Sequence, residues 1–419
     1  MCVPNIKAHH LASLTALIML IMALGQAQQW GNGVEIERQG DWYLGYGDNL
    51  WARGEWRECI PAPESWRCGQ IIDLRAYRLP VYPVYLALLM PFAGDYTPLV
   101  ARLTQAFMLA IMVWLAVHLA GRAIGGRGGL LASTVTGIGC IGFWSSYPQD
   151  GMQLLTEPLY GLLITATVYG MVCYPSRQWA RAVGWGVLWG LISLTRGNVL
   201  FALPIFAVLS RRPIGFGVGV VLPIGLWTFR NWLVLGAFVP FSTGSGQVLL
   251  GTYNDITGGR WWDNAPNAAV STLPELQMDA EGRRLAFEWL AKHPNPTELY
   301  IYKVLTSWVN PYSDTPIRAM GAHFIGAVLI AGLVGWIVRV VLRRWGLNLR
   351  SRDLLIATAA LAVALTLNNI IFYSQYRFRQ PLEPVLFAGG AVWLVTGFSV
   401  AGARSRTRRA GAIPADSPH

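Results

Sequence analysis

GDWYLGYGDNLWARGEW (residues 40–56) and, after two cysteines, RAYRLPVYP (75–83) form a polar stretch between the first two apolar runs of the chain. It concentrates acids, arginines and aromatics that a lipid-buried segment does not carry, so it marks where a span emerges into water. Tyr43, Tyr46, Leu50 and Trp51 recur at helical spacing. The spacing predicts a helix lying in the membrane interface with its apolar face on lipid. Further on, Pro80 and Pro83 break the backbone twice and start a short helix, Val84 to Met90, too brief to span.

The surrounding sequence is that of a polytopic membrane protein. Of 419 residues 53% are hydrophobic and only 13% charged, with mean hydropathy +0.39; a soluble domain carries about 25% charged residues. Runs near the ~20 residues needed to cross hydrocarbon fall at 11–27, 99–120, 128–147, 155–174, 214–233, 320–341, 354–373 and 384–401. The stretch 182–209 divides at Thr195-Arg196-Gly197 into two short spans, which makes about ten transmembrane helices. Gln26-Ala27-Gln28-Gln29 is a poor cleavage site, so the first run is expected to stay as an uncleaved anchor.

The net charge of +11 does not call for nucleic acid, because the basic residues alternate with topology. Lys7, Arg122, Arg127, Arg177, Arg181, Arg211, Arg212, Arg339, Arg343, Arg344, Arg350, Arg352 and the ARSRTRR tail fall in alternate gaps, which are expected to be cytoplasmic. The chain then divides into a cytoplasmic lead and first span (1–27), a first outer loop with interfacial helices (28–98), spans two to seven (99–233), a second outer segment (234–319), spans eight to ten (320–401) and a basic, solvated tail (402–419). Within 234–319 an amphipathic helix is expected from Pro274 through Lys292, packed on the membrane face beside the first loop. Cys59 and Cys68 lie nine positions apart in the first outer loop, as a disulfide or as two thiols. No GxxxxGK[ST] phosphate cradle and no Cys/His spacing for zinc occurs.

Charged residues at the outer ends of spans are the candidates for chemistry, since ionisable groups near hydrocarbon are costly unless paired or functional. Asp41 is placed as a general base or as a helix N-cap. Asp48, seven positions on, shares that face or is simply solvated. Arg78, before a proline, suits a phosphate oxygen pair or an interfacial anchor. Glu157 in LTEPLY opens a span, where an acid favours the helix dipole with or without a further role. Arg196 in SLTRGN lies midway along an apolar run, so either the segment turns there or the arginine has a partner. Arg377 and Arg379 in YRFRQPLEP stand on the side where the positive-inside tendency disfavours them, answered by a phosphate, by Glu383 or by a lipid head group. Lys303, ahead of the eighth span, is a weaker candidate of the same kind.

Taken in order, DWYLGYGDNLWARGEW, RLPVYP, LTEPLYGLL, GLISLTRGN, RNWLVLGAFVPFSTGSG, the segment from AKHP to KVLTSWVNP, and YRFRQPLEP resemble the GT-C superfamily of integral-membrane glycosyltransferases, the bacterial relatives of protein mannosyltransferases and lipid A aminoarabinose transferase. The resemblance covers nearly the whole chain. It implies an all-α bundle whose two outer loops form a membrane-face active site. A sugar on a polyprenyl phosphate would pass, with inversion, to the hydroxyl of a glycolipid, polysaccharide or protein. Asp41 matches the expected base, Arg78, Arg377 and Arg379 match basic positions around the lipid phosphate, and Glu157 matches the TEP-like motif. The family often has a second acid after the first, where this chain has Trp42, which departs from a paired-carboxylate metal site. No cofactor is expected, with a divalent metal left open.

Two other classes fit parts of the pattern. About ten spans and an arginine inside one of them suit a transporter, although no duplicated halves are visible. A non-catalytic envelope-assembly protein would carry the same spans and tolerate loss of Asp41.

Overall fold

A computed structural model describes residues 6–31, 33, 43–62, 65–143, 151–293, 297–308 and 348–410. Helix α1 (Ile6–Trp30) lies along the second half of a long apolar rod. That rod is made of α3 (Val81–Ala93), one 3-10 turn (Gly94–Tyr96) and α4 (Thr97–Ile124). Ala12, Met19, Ala23 and Ala27 of α1 bury against Ala106, Leu109, Met112, Val113 and Val117 of α4. The break at Gly94 has a physical cause: the residue takes φ +52°, open to glycine, and Pro98 then starts α4 in the first turn, where its missing N–H costs nothing. The short helix expected at 84–90 is therefore longer and leads straight into the second span, a continuous apolar stretch of 44 residues.

Beyond α4 come α5 (Gly126–Ile138), α6 (Glu157–Cys173) and α7 (Trp179–Thr195). Past Arg196 a 3-10 turn (Gly197–Ala202) leads into α8 (Leu203–Leu209), followed by α9 (Pro213–Leu235). Helices α7 and α9 meet backbone to backbone: a Cβ on Gly186 would lie 2.1 Å from the Phe216 carbonyl oxygen, and one on Gly219 2.1 Å from that of Val183. Small residues serve this purpose where helices associate without a hydrophobic drive. The central core joins α4, α6, α7, α8 and α9 to α13 (Leu349–Ile371) and α14 (Glu383–Ala410), through Tyr160, Ile164, Trp189, Phe206, Leu361 and Leu386.

Four helices among the described residues are long and apolar enough to cross a membrane: Lys7–Trp30, Val81–Ile124, Pro213–Leu235 and Leu349–Ile371, with shorter apolar helices at Glu157–Cys173 and Gly197–Leu209. The expected count of about ten is thus not confirmed among the described residues, and the span expected at 320–341 lies outside them. Helix α14 also runs on to Ala410, into what the sequence presents as a solvated tail.

The outer segments correct two further expectations. Helix α2 (Tyr43–Arg53) forms where a helix is expected, but Leu44 and Tyr46 on its apolar face are covered by protein, while Trp51 is exposed. Leu44 packs with Tyr82, Leu86 and Met90 of α3, and the fully buried Tyr46 donates to the Leu74 carbonyl at 3.1 Å. The chain is not wholly α-helical: Glu58–Pro61 (β1) and Cys68–Ile72 (β2) pair antiparallel, closed by a Cys59–Cys68 disulfide with Cα atoms 5.5 Å apart.

The second outer segment holds α10 (Ser245–Thr252), α11 (Glu275–Lys292) and α12 (Thr297–Trp308). It is latched to the first loop by Glu275 in the opening turn of α11. This buried carboxylate accepts the Arg75 and Ala76 N–H groups at 2.7 and 2.8 Å and the Thr243 hydroxyl at 2.5 Å. Arg230 at the end of α9 adds a bond from Nη1 to the Arg75 carbonyl at 2.6 Å.

Candidate active site

Three segments far apart in sequence meet at the N-terminal end of α6. Thr195 ends α7, Arg196 takes extended backbone (φ −159°, ψ 131°), and the 3-10 turn follows. Gly197 and Asn198 are poor helix formers, so the break falls where a guanidinium must leave the helix axis. Arg196 Nη1 then sits 2.7 Å from Glu157 Oε1 and 3.3 Å from the Thr156 hydroxyl, with its guanidinium 4.4 Å from the Phe378 ring centre. Arg377, in the turn Tyr376–Phe378 that precedes α14, brings Nε to 3.1 Å from the same Glu157 oxygen. Glu157 is only 3% exposed. One buried carboxylate thus gathers two guanidinium groups from α7 and the α13–α14 connection.

Arg78 approaches from the first outer loop. Its guanidinium lies 4.8 Å from the Tyr77 ring centre and 5.4 Å from that of Tyr43, and its Nε is 3.9 Å from buried Glu58. Tyr43 opens α2 and stands edge-on to Tyr82 at 5.2 Å. Asp41, two positions before it in sequence, lies outside the described residues.

The other candidates lie elsewhere. Asp48 is buried with Oδ1 3.0 Å from Arg67 Nη1 and Oδ2 accepting the Cys68 N–H at 2.9 Å, so it clamps the disulfide hairpin to α2. Arg379 pairs with Glu383 at 2.8 Å, both buried, and donates to the Trp308 carbonyl, which joins the end of α12 to the start of α14. Lys303 is fully buried in α12, donating to the Tyr253 hydroxyl at 2.7 Å and to the Ile370 and Phe372 carbonyls at 3.2 and 2.5 Å. Those carbonyls belong to the C-terminal end of α13.

Burial lowers the Lys303 pKa from 10.5 to about 7. Between those values the unfolded chain holds a proton that the folded one lacks, so stability rises with pH across that window and is lowest below it. Thermal unfolding of the purified protein from pH 7 to 10 is expected to show this rise, and Lys303→Met to flatten it. An identical slope in the variant would assign it to other groups.

Sequence reasoning did not find the Glu275 latch, because an acid following Pro274 in a first turn is ordinary helix chemistry. It also missed Arg102, fully buried in α4, whose Nε and Nη1 donate to the Met152 and Gly31 carbonyls at 3.0 and 2.9 Å. A charge six residues into an apolar helix was the signal available. Among the described residues, no group of three His, Cys, Asp or Glu side chains is placed to hold a metal ion.

No protein-family model matches the chain, and no curated protein matches it. Among solved structures, a crystal structure of ArnT from Cupriavidus metallidurans bound to undecaprenyl phosphate is similar over 97% of this chain and 81% of that one, at 15% identity and a TM-score of 0.38. The superposition is too loose to establish a shared fold.

Proposed function

We propose that this chain is a membrane-embedded glycosyltransferase that moves a sugar from a polyprenyl phosphate to an acceptor hydroxyl on the outer membrane face. The observation that carries the reading is the convergence of Arg196 and Arg377 on Glu157. Guanidinium forks from separate segments suit the oxygens of a phosphate monoester leaving group. The motif order of the sequence supports the same class.

In this reading Asp41 takes the proton of the acceptor hydroxyl. The acceptor oxygen attacks the anomeric carbon, the bond from that carbon to the phosphate oxygen breaks, and polyprenyl phosphate leaves with the bonding electrons. Attack opposite to the leaving group inverts the anomeric centre. Arg78, Arg196 and Arg377 stabilise the charge growing on the phosphate. Glu157, held between two guanidinium groups, acts as a positioning residue. Asp48, Lys303 and Arg379 belong to the frame, in keeping with the partners that hold them.

The test is turnover by purified protein of a panel of labelled polyprenyl-phosphate sugars, with a membrane extract as acceptor source and release of polyprenyl phosphate as readout. One donor is expected to turn over. A folded preparation that releases none from any donor would sink the reading.

A further inference from the structure

A second site lies at the opposite end of α6 and α7. Tyr174, Arg181, Gly184, Trp185 and Leu188 line a cavity of about 420 Å³. Four of these fall at positions i, i+3, i+4 and i+7 of α7, so they form one stripe along the helix. The stripe changes character with depth. It starts with a guanidinium, passes a glycine and an indole, and ends on leucine, about 10 Å further along the axis. Arg196 lies at the far end of the same helix, about 20 Å away, so the cavity is separate from the Glu157 cluster.

The surroundings place the mouth of this cavity at head-group depth. Tyr174 and Trp179 are half exposed, at 50% and 51%, the position of an interfacial aromatic belt. Arg122 holds the Tyr174 wall in place, with Nη1 2.6 Å from the phenol oxygen and the guanidinium 5.4 Å from the ring centre. Arg177 and Arg181 are exposed beside it. Asp353 on this face is taken up by Arg211 and Arg352, and no described acid forms an ion pair with Arg181. Gly184 leaves the cavity open, since a Cβ there would meet nothing within 4 Å.

We propose that this cleft binds one anionic glycerophospholipid of the arginine-rich leaflet, its phosphate on Arg181 and an acyl chain along Trp185 and Leu188. Basic pockets between membrane helices select lipids in this way, each basic residue near the surface contributing about fivefold in affinity. The polar-to-apolar order of the stripe matches the order of a phospholipid from head to tail, and the positive rim selects an anionic head group over a zwitterionic one. The inference needs only that α6 and α7 lie in a bilayer. It stands whether or not the chain transfers sugar.

Native mass spectrometry of the full chain in detergent, with equal amounts of phosphatidylglycerol and phosphatidylcholine, tests it. The wild type is expected to retain one phosphatidylglycerol with a preference of about fivefold. Arg181→Gln, at an exposed position, should bring the two lipids to parity. Gly184→Leu, which fills the cavity, should remove the retained lipid of either kind, with an unchanged unfolding midpoint reporting that the fold is intact. Equal retention by the wild type, or a preference that survives both variants, would overturn the proposal.

Discussion

Glu157→Gln is expected to destabilise the protein by about 3–5 kcal/mol, the usual cost of removing one member of a buried ion pair. The carboxylate is 3% exposed and has Arg196 Nη1 at 2.7 Å and Arg377 Nε at 3.1 Å. An amide keeps the shape but not the charge, so both guanidinium groups stay in a low-dielectric setting without the anion that they share. Transfer activity should fall with stability, since the same groups would lose their orientation. The measurement is the unfolding midpoint of the solubilised protein, with Glu157→Asp alongside. The aspartate keeps the charge one methylene short and should give an intermediate result. A midpoint unmoved by Glu157→Gln would mean that water, not the carboxylate, compensates these arginines.

Asp41→Asn is expected to show the opposite signature. On its proposed role as general base, the loss lowers turnover by roughly 10² to 10⁴-fold, while the unfolding midpoint stays where it was. The contrast separates a residue that handles a proton from one that holds a frame. Release of polyprenyl phosphate from the preferred donor, measured at saturating acceptor, is the readout. Retained turnover would remove Asp41 from the reaction, and a midpoint lowered with it would make the residue a cap of the helix that follows.

How far the sequence reached depended on whether a residue's partner was near it in the chain. Arg196 was legible as a break, because an arginine between Thr195 and Gly197 conflicts with a continuous span, and α7 ends there. Its partnership with Glu157 was not, since the two lie on different helices. The helix at 43–53 was visible in the spacing of its aromatics. Periodicity says that one face is apolar and cannot say whether lipid or α3 covers it. The hairpin was missed because strands of four and five residues are shorter than any pattern that separates strand from loop. Asp48 looked like a second candidate acid, and only the fold shows it bound to Arg67 and to the Cys68 amide.

The latch at Glu275 also sets a timetable for biogenesis. Its partner Arg75 lies 200 residues upstream, so at ordinary elongation rates the first outer loop leaves the ribosome on the order of 10 to 40 s before the carboxylate that fastens it. During that interval the loop must hold its shape by local means, and the Cys59–Cys68 bridge, which closes over nine residues, supplies one without any later part of the chain. An oxidant that reaches the nascent loop therefore acts while the outer face is still incomplete. Chains released before α11 would carry a finished hairpin and an unfastened roof.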